Sequence, residues 1–499
     1  MQRRRFLSSI AAPAFLRAWQ PPPGEVVATQ AGDVVPGRAM LWARSARPAE
    51  MEVRWGTSET NLSRRVKGPA LTAATDFTGR LELKGLPAGQ HIFYEASLGA
   101  GQSLRGRFQT PPDRGPIRFL WSGDTAGQGY GINPDWGGMK IYEAMRRREP
   151  HFFLHSGDTI YADGPIPPEI RLPNGALWKN IVTAAKSKVA ETLDEFRGNH
   201  KYNLLDEHVR RFASEVAQIW QWDDHEFTNN WSPSKDLTAD ARYKEKDIGV
   251  LSARARQAFI EYAPMRITAA GRQRIYRHIP YGPLLDVFVI DLRSYRGPNT
   301  FNRQTQQGPE TAFLGQPQIR WLQQGLKSSR ALWKVIASDM PIGLLVGDGS
   351  DAQGRPRFEA FANGDGPPLG RELELAGLLR SIRDNRIRNT VWLTADVHYT
   401  AAHFYDPAKA QFNDFLPFWE FVSGPLNAGT FGPGQLDNTF GPQVMFQKAP
   451  PAGESNLAPS AGLQFFGEVE IESGGTMNVI LRDLAGGAIY SKALQPERA

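Results

Sequence analysis

The stretch that decides the reading is "HFFLHSGDTIYADGP", residues 151–165. A short, largely apolar run from Phe152 to His155 has the length and texture of a buried strand. It runs directly into Ser156-Gly157-Asp158, and Tyr161 and Asp163 follow within five residues. A turn needs the glycine and one acid. It does not need Asp158, Tyr161 and Asp163 together, so chemistry at the strand end must be weighed against a plain turn.

The same ending recurs. "IRFLWSGD" closes on Asp124, "VAQIWQWDDHE" on Asp223, Asp224 and His225, "WKVIASDMP" on Asp339, and "NTVWLTADVH" on Asp396 and His398. In α/β sheets, ligands bind beyond the carboxyl ends of the strands. Acids gathered there would repel one another at low dielectric, and each buried ion would cost several kcal/mol. Metal ions remove that cost, and a carboxylate such as Asp158 can bridge two of them. Paired metals clamp the attacking and leaving oxygens of phosphoryl transfer. Any one of these endings alone reads as a turn or a solvated helix start; it is the set that argues for a metal site.

The rest of the chain frames this centre. Residues 117–160 read as a strand, a helix over "GGMKIYEAMRRRE" and a second strand, which is a βαβ unit. "LLDVFVIDLR" is a further strand, and helices are expected over 240–262, 316–329 and 369–384. The stretch 163–200 reads as a Pro-rich loop and helix inserted near the site, and the tail as two or three antiparallel strands. Residues 25–112 alternate apolar and polar positions between Gly, Pro and Ser turns, which suggests an antiparallel sandwich of the immunoglobulin or fibronectin type. The expected fold class is α/β, with a β-sandwich catalytic domain and flanking helices over 113–499, preceded by the all-β domain over 25–112.

Composition excludes several classes. The 499 residues carry a net charge of +6, but four arginines and no acid fall in residues 1–20; without them 54 basic side chains face 52 acidic ones. Nucleic-acid binding is therefore not expected. There are no cysteines, so disulfides, thiolate nucleophiles and zinc–sulfur sites are excluded. No apolar stretch reaches the length of a transmembrane anchor. Arg3-Arg4-Arg5-Phe6-Leu7 matches a twin-arginine export signal, placed over 1–24. That route carries folded proteins, and it suits a protein that takes its metal before export. The expected partner is the twin-arginine machinery, and the destination is the periplasm or the medium.

Taken together, "HSGDTIYADG", "WDDHEFTNNW", "VIDLRSYR" and "TADVHYTAAHFYD" resemble the PhoD-type alkaline phosphatases, within the calcineurin-like metallophosphoesterases and akin to purple acid phosphatases. The resemblance covers nearly the whole chain. It implies that Asp158 bridges two ions, that Tyr161 and His398 bind a ferric ion, and that Asp224 and Asp396 hold a second ion. Asp339, in Asp-x-Pro, lies where purple acid phosphatases carry a His-x-Pro ligand. His225 is then the acid, or the phosphate's hydrogen-bond donor, near the leaving group. Arg293 is a candidate for phosphate contact, with Asp223, Asn229, Asn230 and Arg296 in support. PhoD-type enzymes often carry a cysteine ligand at the end of the first strand. This chain has Gly123 there, and Asp124 next to it offers a carboxylate in its stead. Two or more metal ions are expected: iron and calcium from the resemblance, with manganese or zinc also suited to the oxygen and nitrogen donors.

The expected activity is hydrolysis of small phosphomonoesters, and of phosphodiesters as well, by a metal-activated hydroxide, in a monomeric enzyme. The alternatives are a phosphodiesterase or phospholipase-D-like enzyme on lipid or cell-wall polymer, and a non-catalytic surface-binding protein.

Overall fold

The computed structural model describes residues 25–99, 101–267 and 274–497. The export signal expected over 1–24 lies outside them. The fold is mixed α/β, rich in sheet and poor in helix. Among the described residues, no helix is long and apolar enough to cross a membrane.

Two large sheets build the body. The first has nine strands. Its middle consists of Ile117–Ser122, Phe152–Ser156 and Ala217–Gln221, all parallel. Their register is level: Phe119 lies opposite Phe152, and Phe152 opposite Ala217. The three chains therefore leave the sheet at the same height. Alternation decides which side chain goes where. Phe119, Trp121, Phe152, Leu154 and Ile219 face the interior between the sheets. Leu120 and Phe153 face outward and are covered by the helices Ile141–Arg146 and Glu207–Glu215 through Tyr142, Met145 and Phe212. Such strands are buried on both faces, which is why they read as unbroken apolar runs.

The second sheet has seven strands. Leu285–Val289, Trp333–Ala337, Thr390–Thr394 and Phe418–Val422 are parallel neighbours. Val287, Val335, Leu393 and Phe421 join the same interior core, while Phe288, Ile336 and Trp392 pack outward under the helices Gln316–Ser328 and Glu372–Asp384. The C-terminal strands Phe465–Ile471, Met477–Asp483 and Ala488–Leu494 extend the first sheet antiparallel from Ile117–Ser122.

The N-terminal strands do not stand apart. Ala28–Val35 pairs in parallel with Ala217–Gln221 through Gly32 and Gln218, and Arg38–Arg44 and Thr78–Lys84 add to it antiparallel. Half of the N-terminal region thus completes the nine-stranded sheet. The other half is a four-stranded sheet that includes Arg64–Leu71, a strand whose run of basic residues and its Gly-Pro pair hide it from pattern reading. Met51, Val53, Ile92 and Phe108 share one core with Phe119 and Val287. The helix expected from 240 starts at Ile248, because Asp247 caps the amides of Gly249 and Val250. The 163–200 stretch forms the hairpin Glu169–Arg171/Leu177–Lys179 and the helix Leu193–Asn203, which opens on a Thr192–Glu195 capping box.

Candidate metal centre

Every strand end singled out in the sequence arrives at one place. Asp124, Asp158, Asp223 and Asp224 follow strands of the first sheet; Arg293, Asp339, Asp396 and His398 follow strands of the second. All are buried or nearly so. The chain turns there at a conformational cost. Asp124, Asp158, Asp396 and His398 have φ of 63°, 50°, 68° and 60°. Non-glycine residues in this region are uncommon and collect at functional sites. Gly157, at φ 105°, permits the turn before Asp158, and a Cβ there would collide with the Cβ of Asp223.

Three groups of donors lie within 4.8 Å of one another: Asp124 with Asp158 and His398; Asp158 with Asp224 and His225; and Asp223 with Asp224 and Asp396. Asp158 belongs to two of them. The Tyr161 hydroxyl lies 2.9 Å from His398 Nε2. His398 Nδ1–H donates to the Gly429 carbonyl, 2.5 Å away, which leaves Nε2 as the acceptor. Burial holds this imidazole neutral, with its pKa lowered to about 4. The Tyr161 ring packs on Gly127, where any Cβ would overlap it.

The carboxylates are short of partners. Both oxygens of Asp124, and one each on Asp158, Asp223, Asp224 and Asp339, are buried without a hydrogen bond. Burial first, then the neighbouring acids, push Asp124, Asp158, Asp339 and Asp396 well above the usual carboxylate range. Buried acceptors are nearly always satisfied in native proteins. Orphaned oxygens beside a phenol and an imidazole are the donor set of an iron, manganese or zinc site, with calcium suited to the carboxylates. The residues present therefore fit the metals implied.

One cation is already there. The guanidinium of Arg293 is fully buried. Its Nε lies 2.5 Å from Asp223 Oδ1 and 3.5 Å from Asp339 Oδ2, and Nη2 is 3.9 Å from Asp224 and 3.8 Å from Asp396. Nη1 meets the Glu359 carboxylate. Burial resists the charge of Asp224, yet Arg293 and His225 outweigh it and hold this acid down at about 2. Arg293 thus meets the cluster from within the protein. Arg296 turns away, to the Glu359 carbonyl and to Asn299, over the Phe313 ring.

His225 lies at the edge of the cluster. Its ring packs against Tyr161 at a 30° tilt with centroids 4.3 Å apart, and its amide donates to Asp158 Oδ1 at 3.1 Å. Nδ1 donates to Asp163 Oδ1 at 2.6 Å, and Asp163 Oδ2 accepts from the Asn229 amide. Burial opposes protonation of the imidazole, but Asp163 and Asp224 overcome it and raise its pKa to about 9. Asn229 is exposed at the rim. The Asn230 amide donates to Asp224, and its side chain donates to Asp348 at 3.0 Å.

The sequence assigns Asp163 no role beyond its place after Asp158 and Tyr161, and does not single out Glu226, Asp291, Glu359 or Gly429. Glu226 accepts from the amides of Asp158, Thr159 and Asp223 and so ties two strand ends together. Asp291 caps the turn that launches Arg293. The glutamate in "WDDHE" was the available signal for Glu226. Glu359 and Gly429 come from distant loops with no local pattern.

The PhoD-like phosphatase family model matches residues 119–478, and the model of the PhoD-like phosphatase N-terminal domain matches residues 20–112. The chain is 25% identical over 394 residues to alkaline phosphatase D of Bacillus subtilis, an alignment covering 74% of this chain and 63% of that protein's length. A solved structure titled "Structure of PhoD" aligns over 96% of this chain and 90% of its own, at 20% identity and a TM-score of 0.70. The purple acid phosphatase PPD1 from yellow lupin seeds aligns over 94% and 73%, at 14% identity and a TM-score of 0.53. At these identities the two structures share the fold.

Proposed function

Because the chain belongs to the PhoD-like phosphatase family, we propose that it is a metal-dependent phosphoesterase acting on phosphomonoesters, and on phosphodiesters as well. The observation that carries this reading is the set of orphaned carboxylate oxygens on Asp124, Asp158, Asp223, Asp224 and Asp339 at converging strand ends. Asp124, Asp158, Tyr161 and His398 would hold one ion, with iron first in line because a phenolate suits it. Asp158, Asp224, Asp339 and Asp396 would hold the second, with calcium, manganese or zinc all suited. When bound, the ions supply Lewis acidity that acidifies water and neutralises phosphoryl oxygens.

The protein's own groups do the rest. Asp163 fixes the plane of His225 and holds its ring protonated, so that Nε2–H is left to donate to the phosphate or the departing oxygen. Arg293 holds Asp223 and Glu359 in place and balances the charge around Asp224. It serves substrate through these carboxylates. Gly429 sets the tautomer of His398. The N-terminal sandwich, read as immunoglobulin-like, supports the sheet edge. Export by the twin-arginine route to the periplasm or medium follows from Arg3-Arg4-Arg5-Phe6-Leu7, and the working form is a monomer.

The test is hydrolysis of p-nitrophenyl phosphate and bis(p-nitrophenyl) phosphate before and after chelation. Turnover of either ester, abolished by chelator and restored by added metal, supports the reading. Turnover of both, untouched by exhaustive chelation, contradicts it.

A further inference from the structure

A second group of buried acids lies in the shell behind Glu359 and Arg371. Glu372 opens the helix Glu372–Asp384, and Asp437 sits in the loop before the strand Pro442–Lys448. They are 0% and 3% exposed, and their carboxyl groups lie within hydrogen-bonding reach of each other, with the Thr439 hydroxyl beside them. Among the described residues neither forms an ion pair with a lysine, arginine or histidine. The nearby Arg303 gives its guanidinium to main-chain oxygens of Asn363 and Asp365 instead.

Asn363 lies between the two acids. Its amide donates to Asp437 Oδ2 at 3.2 Å, and its Nδ2 donates to Glu372 Oε2 at 2.9 Å. The same Glu372 oxygen accepts from the Leu369 amide, and Asp437 also accepts from Gly364 and Thr439 amides. Yet Glu372 Oε1 and Asn363 Oδ1 have no partner, although Asn363 is only 2% exposed. A carboxamide oxygen and a carboxylate oxygen are thus left bare on two of the three residues that Asn363 joins through its amide and Nδ2. Two facing carboxylates in a dry interior need either a shared proton or a cation. A shared proton would satisfy one carboxylate oxygen and leave the Asn363 oxygen bare. A cation would take both.

We propose that Glu372, Asp437 and Asn363 form a binding site for a divalent cation of the calcium class, distinct from the catalytic cluster. The donors are all hard oxygens and of mixed type, and the pair of carboxylates matches a double charge. Water and main-chain carbonyls complete the shell. The cation clips the segment 359–372 and the start of its helix to the loop around 437. That segment carries Glu359, which holds Arg293 by its carboxylate and Arg296 and Arg371 by its carbonyl. The cation is therefore a structural clamp on the groups that brace the catalytic acids. The site stands whether or not the catalytic cluster hydrolyses esters.

The experiment counts calcium and follows thermal unfolding. Purified full-length protein is equilibrated with calcium or magnesium, desalted, and analysed for metal. Wild type is compared with Glu372→Gln and with an Asp158→Asn/Asp224→Asn variant whose catalytic cluster is disabled. The expected result is one calcium fewer per chain in Glu372→Gln, and a calcium-dependent rise in melting temperature smaller than that of wild type. The cluster variant is expected to keep a calcium-dependent rise of a few degrees, with magnesium giving less. Equal calcium content in Glu372→Gln and wild type, or no calcium-dependent rise in the cluster variant, overturns the site. Magnesium matching calcium overturns the calcium class. Should Glu372→Gln not fold, Asp437→Asn gives the same comparison, and the rise in the cluster variant decides alone.

Discussion

The two ends of the strand Phe152–Ser156 are built on opposite terms. At its start, His151 is mostly buried and complete: its amide donates to the Arg118 carbonyl at 2.8 Å, and the Arg118 amide donates back to its Nδ1 at 3.0 Å. Next to it, Phe152 stacks on Phe119 with centroids 4.6 Å apart. At the other end the backbone passes into the left-handed region at Gly157 and Asp158, and Asp158 Oδ2 has no partner. Five residues separate a self-sufficient strand start from an end whose buried carboxylate is left without a partner. Stability is secured at one edge of the sheets and given up at the other, where the chemistry is.

The contrast can be broken most forcefully at Asp158. Asp158→Asn alters the carboxylate shared by two of the donor groups, and hydrolysis of p-nitrophenyl phosphate should fall by about a thousandfold or more. The fold should hold, because removing one of several crowded like charges relieves repulsion. A variant that keeps a tenth of wild-type activity would remove Asp158 from the centre. Asp163→Asn touches the site through His225 and the Asn229 amide. The expected loss is about 10- to 100-fold, the usual range for a group that orients another, mainly in kcat, with the melting temperature nearly unchanged. A loss as deep as that of Asp158→Asn would instead make Asp163 a ligand.

His151 sharpens the comparison from the other side, with the smallest effect. Burial, reinforced by the charge of Arg118, lowers its pKa from 6.5 to about 4. The unfolded chain therefore takes up this proton before the folded one does, and stability falls as pH drops from about 6.5 to about 4. The full term is about 3 kcal/mol. His151→Gln should flatten that slope in denaturant titrations at several pH values and leave neutral-pH hydrolysis unchanged. An unaltered slope would show that the acid sensitivity arises elsewhere.

The strand ends were legible because local chemistry announces them. An apolar run that stops on Ser-Gly-Asp or Ala-Asp-Val-His must place that acid at the rim of a sheet, whatever the topology. The parallel core was legible for the same reason, since "FFLH" and "VWLT" have no polar face to offer water. What stayed hidden depends on long-range packing. Nothing near Gly32 says that its strand will pair with Gln218 and merge the N-terminal region into the central sheet. Arg293 looked available for phosphate, because a sequence does not reveal that Asp223, Asp339 and Glu359 will enclose its guanidinium. Glu359 itself lies 66 residues away along the chain. Asp163 passed for a loop acid because its partner, His225, arrives from another strand.

The most direct test of the central claim is elemental analysis of protein purified without added metal, with p-nitrophenyl phosphate hydrolysis measured on the same sample. The account expects about two metal ions per chain at the catalytic cluster, and activity that tracks their occupancy across preparations. Protein that holds no metal there, and gains no activity from added iron, calcium, manganese or zinc, would contradict it, and the orphaned carboxylates of Asp124 and Asp158 would need another explanation.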